Sequence, residues 1–260
     1  MRAMNSFRVA FLLFLVAVPG FADGEREFLL PISGNNLPGG HGTFWTASLT
    51  VLNDGEEIAL VTVDRTCSFP NACPDGLSLM PGEWHSTGLE GLGRGNLVTV
   101  ERGNPQFSYR LYVSDSFAGD RKVLTELPIV PVDSLCNEPL RLFQINLPAG
   151  TRHALRIYDA SEVEKPAVRV TARYRFANAI LFDRVVELEG RRELRPAEAA
   201  LFDFLPIPDI EILLTIEPLD PEMRIWAFLS VTDNLTHDLV LYTPQTPPVG
   251  CSSFASEEEG

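Results

Sequence analysis

The sequence predicts an all-β protein whose chain forms two β-sandwich domains in tandem. Twenty prolines and nineteen glycines interrupt the 260 residues, which favours many short strands over long helices. Several segments alternate apolar and polar residues with the period of two that is typical of half-buried strands. A set of short motifs also occurs twice, in the same order. A single large barrel is the less favoured alternative.

The repeated motifs divide the chain into two copies. Residues 97–106, LVTVERGNPQ, match residues 213–222, LLTIEPLDPE. The other matches pair Leu30-Pro31-Ile32 with Leu127-Pro128-Ile129, Asn53 with Asn146, Leu79–Glu83 with Leu194–Glu198, and Ser114, Asp115 and Asp120 with Thr232, Asp233 and Asp238. A duplication explains this shared order. The offset between copies grows from about 95 to about 116 residues, which predicts an extra segment between Asp159 and Leu194.

These matches set the expected domain boundaries. The first domain is predicted over residues 23–125 and a second, expanded domain over residues 126–247. The boundary falls in an extended, proline-containing stretch. Residues 248–260, which end in Glu-Glu-Glu-Gly, are expected to form a flexible acidic tail.

Individual strands follow from local patterns. In the first copy, β-rich runs at 47–53 and 58–63 flank Asp54-Gly55, which predicts a β-hairpin. In the second, residues 166–176 alternate apolar side chains with arginines and a threonine, which predicts a strand with one basic, solvated face. Further strands are predicted at 180–188, 211–216, 224–231 and 239–242, and one short helix at 197–204.

Residues 1–22 have the pattern of a cleaved signal peptide. Arg2 and Arg8 precede an apolar run at 9–18, whose length of about ten residues suits a signal sequence but not a membrane span of roughly 20 residues. Small residues at Gly20 and Ala22 predict cleavage after Ala22. No later segment has the length and hydrophobicity of a transmembrane helix. We therefore expect a secreted or periplasmic protein without a membrane span in its mature chain.

The charge balance narrows the possible partners. The chain carries 35 acidic and 21 basic residues, a formal net charge of −14. Such a chain repels nucleic-acid phosphates and anionic lipid headgroups, so neither is expected as a partner. A protein or a glycan at the cell envelope or outside the cell is expected instead.

Four cysteines in an exported chain predict disulfides. Cys67 and Cys73 bracket a turn-like Ser-Phe-Pro-Asn-Ala segment and are expected to bond to each other. Cys136 and Cys251 then remain as a pair by elimination, which would tie the start of the second copy to the tail. A metal site is disfavoured because the Cys-x5-Cys spacing has no second close pair of ligands.

With these motifs in view, the chain resembles secreted bacterial proteins built from tandem immunoglobulin-like β-sandwich modules. The resemblance rests on residues 42–53, on the Leu-x-Pro-Gly-Glu step at 79–83 with its copy at 194–198, and on the closing strand at 228–238. It implies two immunoglobulin-like domains with surface, adhesive or spacer roles. The second copy lacks the Gly-Thr-Phe-Trp segment of the first and has Pro139–Phe143 instead.

Asp233, Asn234 and Asp238 are the candidate metal ligands. They form an oxygen-rich loop, but calcium takes six to eight oxygen ligands and this loop supplies three side chains. Asp and Asn also make local hydrogen bonds to the backbone of turns, and this second interpretation is favoured.

Trp84 and Trp45 are the candidate ligand-stacking residues. An exposed indole offers a flat apolar surface for a sugar ring, and Trp84 follows a glycine in a predicted loop. Trp226 lies within a predicted strand and is expected in the core or on the sheet surface. Core packing is the favoured role for the tryptophans as a group.

No catalytic or phosphate-binding motif occurs in a suitable context. The glycine-rich segment 91–95 predicts a loop, and the histidines at 41, 85, 153 and 237 are scattered. The sequence therefore predicts a non-enzymatic interaction or structural protein without a cofactor. A carbohydrate-binding protein is the alternative, and a secreted hydrolase is a less favoured one.

Overall fold

The all-β expectation is confirmed. The computed structural model describes residues 24–35, 37–38, 42–63, 76–89, 95–115, 122–135, 137–174, 179–188 and 210–244. Within these ranges the chain forms seventeen strands, with a 3-10 turn at Val132–Ser134 and no α-helix. No helix that could cross a membrane is therefore present in this part of the chain.

The strands of the first half, residues 24–135, are β1 (Arg26–Leu30), β2 (Leu37–Pro38), β3 (Thr43–Leu52), β4 (Ala59–Val63), β5 (Leu77–Leu79), β6 (Trp84–Gly88), β7 (Asn96–Arg102), β8 (Gln106–Asp115), β9 (Lys122–Glu126) and β10 (Val130–Pro131). Those of the second half, residues 137–244, are β11 (Leu140–Leu147), β12 (Thr151–Asp159), β13 (Ala167–Tyr174), β14 (Ile180–Glu187), β15 (Ile210–Pro218), β16 (Ile225–Asp233) and β17 (Leu239–Tyr242).

These strands form four antiparallel sheets. Sheet I has the order β10-β1-β7-β4-β5, and sheet II the order β2-β3-β8-β9, with β6 also paired to β3. In the second half, sheet III has the order β11-β15-β13-β14, and sheet IV the order β12-β16-β17. Each half thus contains two sheets, I and II in the first half and III and IV in the second, so that the apolar face of one sheet can be covered by the other.

Two hydrophobic cores join the sheets in pairs. Sheets I and II enclose the first, with Leu29, Val98 and Leu49 among its fully buried members. Sheets III and IV enclose the second, which includes Val170 and Leu214. Each half is therefore a β-sandwich, because the apolar face of each sheet is buried against the other.

The alternating pattern predicted at 166–176 is confirmed over β13, which covers 167–174 of that range. On β13, Val168, Val170 and Ala172 are completely buried in the second core. Arg169, one residue out of phase, is exposed and lies 3.4 Å from Asp183 of β14. The arginines of this strand are on the outer face because successive side chains point to opposite sides of the sheet.

The hairpin predicted at Asp54-Gly55 is wrong. β3 lies in sheet II and β4 in sheet I, so the residues between them cross from one sheet to the other. Buried Asn53 holds this crossing: its amide donates to the carbonyls of Glu57 at 2.7 Å and Leu79 at 2.9 Å. Its side-chain oxygen accepts the Gly55 N–H. Asp-Gly does turn the chain, but the turn does not determine which strands pair.

Residues after the expected domain boundary at 125/126 still pair and pack with the first half. β10 pairs with β1 in sheet I, and Leu135 belongs to the first core.

The following expectations fall outside the described residues: the signal peptide 1–22, the helix at 197–204, the tail 248–260, His41, Asp120, residues 91–94, and the cysteines Cys67, Cys73, Cys136 and Cys251.

Sheet IV is covered on both faces. Ile225, Ala227 and Leu229 of β16 face sheet III in the second core. The intervening Trp226 and Phe228 belong to the first core, together with Leu29 and other residues of the first half. β16 is buried along nearly its whole length for this reason. The two halves are therefore joined by a packed interface.

Candidate pocket between the two halves

A pocket of about 500 Å³ lies where sheet IV meets the first half. Its lining from the first half comprises Ile32, Leu37, Pro38, Trp45 and Leu111, and from sheet IV Arg152, His153, Ala154, Arg156, Ser230, Thr232, Leu239 and Leu241. This volume lies within the range of about 300–1,000 Å³ that small-molecule sites occupy.

The alternation of β12 places its arginines at this interface. Arg152, Ala154 and Arg156 share one face of the strand, and Leu155 and Ile157, on the other face, belong to the second core. In the register with β16, Ala154 lies opposite Ser230 and Arg152 opposite Thr232. The small side chains of Ala154 and Ser230 leave room above the sheet, which accounts for the cavity.

Two polar contacts hold the Arg152 guanidinium beside the pocket. It donates to the Asn234 side-chain oxygen at 3.1 Å and to the Thr43 hydroxyl of the first half at 3.5 Å. Burial lowers the pKa of Arg152, and the charge of Asp233 partly offsets this. The group remains protonated, because the guanidinium is charged at any physiological pH.

Arg156 lies beside a pair of buried tyrosines. Burial raises the pKa of Tyr158, and the charge of Arg156 opposes this rise. The Tyr158 hydroxyl donates to the carbonyl of Pro31 across the interface. Tyr109 accepts the Ile32 N–H at 3.1 Å, and its pKa is raised by burial first and by Tyr158 second. A second fixed positive charge thus borders the pocket.

Two further polar groups of the pocket, on Ser230 and His153, have partners within the protein. The Ser230 hydroxyl donates to the Ala154 carbonyl at 3.2 Å. The His153 Nε2 lies 2.8 Å from the Thr151 hydroxyl, and burial lowers the pKa of this histidine, which favours the neutral ring at pH 7. The pocket is therefore chemically suited to binding, because it combines two arginines, apolar walls and a Ser230 hydroxyl that is already hydrogen-bonded.

The candidate metal ligands Asp233, Asn234 and Asp238 form a hydrogen-bonded turn. The Asp233 carboxylate accepts the N–H groups of Leu235 at 2.7 Å and Thr236 at 2.8 Å, and the Thr236 hydroxyl donates to Asp238 at 2.8 Å. These bonds, led by the Thr236 N–H, lower the pKa of Asp233. Asn234 holds Arg152. Among the described residues no group of three or more His, Cys, Asp or Glu could hold a metal.

The structure separates the two candidate stacking residues. Trp45 points inward from sheet II, packs against the first core and lines the pocket. Trp84 begins the edge strand β6 and is 67% exposed. It lies opposite Leu52, so it projects from the outer face of sheet II. Trp226 is buried, in agreement with the core role expected for it.

The outer face of sheet II beside Trp84 is rich in hydroxyls. Ser86 accepts the Thr50 hydroxyl at 3.1 Å and lies 3.4 Å from the Ser48 hydroxyl. Arg110 and Glu126 form an exposed ion pair of 3.4 Å on the same sheet.

His85 is also on β6 and exposed, whereas buried His237 has a left-handed φ of 61° in the turn after β16.

Sequence reasoning missed the pocket residues Arg152, Arg156, Ser230, Leu239 and Leu241. One signal was available in the segment that forms β16. Its residues IWAFLSV have almost no apolar–polar alternation, and such a run is typical of a strand buried on both faces. If both faces of β16 are buried, its neighbours β12 and β17 in the same sheet must also lie against a second packing partner.

Comparisons with known proteins do not identify a family. No family model matches the chain, and no curated protein shows significant similarity to it. One solved structure, an anti-sigma factor domain-containing protein, aligns over 86% of this chain and 83% of its own, with 11% identity and a TM-score of 0.20.

Proposed function

We propose that the protein is an exported, non-enzymatic interaction protein of two immunoglobulin-like β-sandwich modules, and that the pocket between its halves is its binding site. The observation that carries the proposal is the pocket itself. It is concave, walled mainly by apolar side chains and bordered by Arg152 and Arg156, as small-molecule sites commonly are.

The order of strands supports immunoglobulin-like modules. In constant-type immunoglobulin domains one sheet contains strands B, E and D and the other C, F and G. Sheet III has the neighbours β11-β15-β13 and sheet IV has β12-β16-β17, which correspond to these two sets in chain order. In this correspondence β14 is an additional edge strand after D.

Strand order also supports a duplication. The core orders β1-β7-β4-β5 and β3-β8-β9 of the first half are the same as β11-β15-β13-β14 and β12-β16-β17 of the second. The matched residues 97–106 and 213–222 both begin in the equivalent strands β7 and β15. Asp115 and Asp233 both end the equivalent strands β8 and β16.

The same order favours a different alignment near the start of each copy. β1 ends at Leu30, directly before Pro31, and its equivalent β11 ends at Leu147, directly before Pro148. Leu30-Pro31 therefore corresponds better to Leu147-Pro148 than to Leu127-Pro128. The segment between Asp159 and Leu194 then contains β13 and β14, the counterparts of β4 and β5, and is largely not an insertion.

Export and disulfide formation can be tested together. N-terminal sequencing of the protein from the periplasm or medium should begin at Asp23. Mass spectrometry of a non-reduced digest should find Cys67 bonded to Cys73 and Cys136 bonded to Cys251. An uncleaved N-terminus in the cytoplasmic fraction, with four free thiols, would contradict the proposed export.

A ligand screen and a turnover screen together test the binding function. Compounds that raise the melting temperature of the purified protein should lose this effect in Ala154→Leu, which fills the cavity. Genuine hydrolase turnover by the purified protein, lost in a pocket variant, would overturn the non-enzymatic proposal. Glu101→Gln, an exposed substitution outside the pocket, is the control for general effects.

Carbohydrate binding is the second candidate function, and exposed Trp84 favours it. The indole and the hydroxyls of Ser48, Thr50 and Ser86 lie on one outer face of sheet II. Sugar rings stack on exposed indoles, and hydroxyls beside them supply hydrogen bonds. Binding on a glycan array that is lost in Trp84→Ala and kept in Phe143→Ala would support this function. No binding on a broad array would count against it.

A further inference from the structure

We infer that the pocket between the halves binds a small amphiphile with an anionic head group, of which a medium-chain carboxylate is the simplest example. This inference rests on the proposed binding function and specifies the ligand class. The observation that supports it is that two arginines, Arg152 and Arg156, border an apolar cavity at the interface between the halves of a strongly acidic protein.

Charge is distributed unevenly between the pocket and the rest of the molecule. The chain has a formal net charge of −14, yet the pocket lining contains two arginines and no aspartate or glutamate. Asp233, whose charge acts on Arg152, lies outside the lining and offsets only one of the two arginines. The pocket is thus a local positive site, and it will favour an anion over a neutral or cationic ligand of the same shape.

Arg152 has donors to spare for such an anion. A guanidinium carries five N–H donors. The acceptors that Arg152 contacts, the Asn234 amide oxygen and the Thr43 hydroxyl, are both neutral. Because these two contacts hold the guanidinium in place, an entering carboxylate would gain charge-assisted hydrogen bonds without having to order the side chain.

The apolar walls determine the other end of the ligand. Leu239 and Leu241 of β17 lie on the sheet IV side, and Leu37 and Trp45 of the first half lie opposite. In the register of sheet IV, Leu241 is opposite Ser230, which is opposite Ala154, and Leu239 is opposite Thr232, which is opposite Arg152. A chain lying over this surface would have an apolar body beside the leucines and a head group near Arg152.

Isothermal titration calorimetry with decanoate, decanol and decylammonium tests the inference on the unaltered, purified protein. We expect decanoate to bind with one-to-one stoichiometry and at least tenfold more tightly than decanol, and decylammonium to bind most weakly. Because only the head group changes, this series separates the charge effect from the hydrophobic one and requires no variant. Equal affinity for decanoate and decanol, or no binding of decanoate, would overturn the inference.

Two variants and a control locate the site. Arg152→Gln should weaken decanoate binding at least tenfold and leave decanol binding unchanged. Ala154→Leu should abolish binding of both. Arg102→Gln, which removes an exposed arginine of the first half that is ion-paired with Glu57 at 3.3 Å, should change neither. An equal loss in Arg102→Gln and Arg152→Gln would show only a general charge effect and overturn the assignment.

The outcomes also distinguish this inference from the binding function on which it rests. Preference for decanol or decylammonium, lost in Ala154→Leu, would overturn the anionic assignment and leave the pocket as a binding site. Decanoate binding that persists in both pocket variants would overturn both. An acidic peptide that displaces decanoate with higher affinity would overturn the small-molecule assignment.

Discussion

Asn53 is completely buried at the end of β3, where its amide and side-chain oxygen bond to three backbone groups. Its own N–H donates to Glu83 at 2.9 Å, and its carbonyl accepts the Gly82 N–H at 2.7 Å. One residue thus joins the ends of β3 and β5 and the connection to β4. The sequence indicated a turn at Asp54-Gly55, but it did not indicate that the preceding residue, Asn53, would hold two sheets together.

We expect Asn53→Ala to lower the free energy of unfolding by about 2–4 kcal/mol, because it leaves buried carbonyls without donors. Asn146→Ala, at an exposed position in β11, should change it by less than about 0.5 kcal/mol. Urea denaturation of both variants measures the difference. Equal costs would contradict the structural role assigned to Asn53.

Tyr109 and Tyr158 make the stability of the fold sensitive to alkaline pH. Burial is the largest cause that raises the pKa of both phenols above the ordinary value of about 10. Above this value the unfolded chain loses protons that the native state retains. Their contribution to stability is therefore complete below about pH 10 and is lost as the pH rises through the folded-state pKa.

The free energy of unfolding should fall above about pH 10 by up to about 1.4 kcal/mol per pH unit for each of these two tyrosines. Tyr158→Phe should remove one such contribution, so its curve should be flatter above pH 10 although the variant is less stable at pH 7. Chemical denaturation at pH 7 to 11 measures both effects. Parallel curves for the two proteins would contradict the prediction.

β15 lies between β11 and β13, and its two faces meet different surroundings. Leu214 is completely buried in the second core, whereas its neighbour Leu213 is only partly buried on the other face. The sequence predicted this strand and the alternation of β13, because a period of two is readable without knowledge of the partner strands. It did not predict correct pairing at Asp54-Gly55, because a turn motif carries no information on the sheet to which the next strand belongs.

Leu214→Ala should cost about 2–5 kcal/mol of unfolding free energy, the usual range for a leucine truncated in a core. Leu213→Ala removes the same atoms from the adjacent position and should cost less than half as much. Guanidinium denaturation compares the two directly. A greater loss in Leu213→Ala would reverse the assignment of faces on β15.

The two halves are coupled through sheet IV. The Phe228 ring is stacked on Tyr158 with centroids 6.4 Å apart and lies 5.5 Å from Trp226, and all three belong to the first core although they lie in the second half. Unfolding of either half would expose these rings to water. The chain should therefore unfold as one cooperative unit.

Differential scanning calorimetry of the full chain should show one transition with equal calorimetric and van't Hoff enthalpies. Phe228→Ala should lower the unfolding free energy by about 3–5 kcal/mol. Leu235→Ala, at a side chain that is 91% exposed, should leave it nearly unchanged. Two well-separated transitions in the unaltered protein would show that the halves are independent.

The sequence by itself determined that the described chain is all-β, where several strands run and which faces of β13 are buried, because these properties depend on local composition and periodicity. Only the tertiary structure decided that β3 and β4 enter different sheets, that Trp45 and Trp84 point away from each other, and that sheet IV is covered twice. The pocket belongs to this second group. Its walls are distant in the chain, from Ile32 to Leu241, and meet only because the halves pack together to bury Trp226 and Phe228.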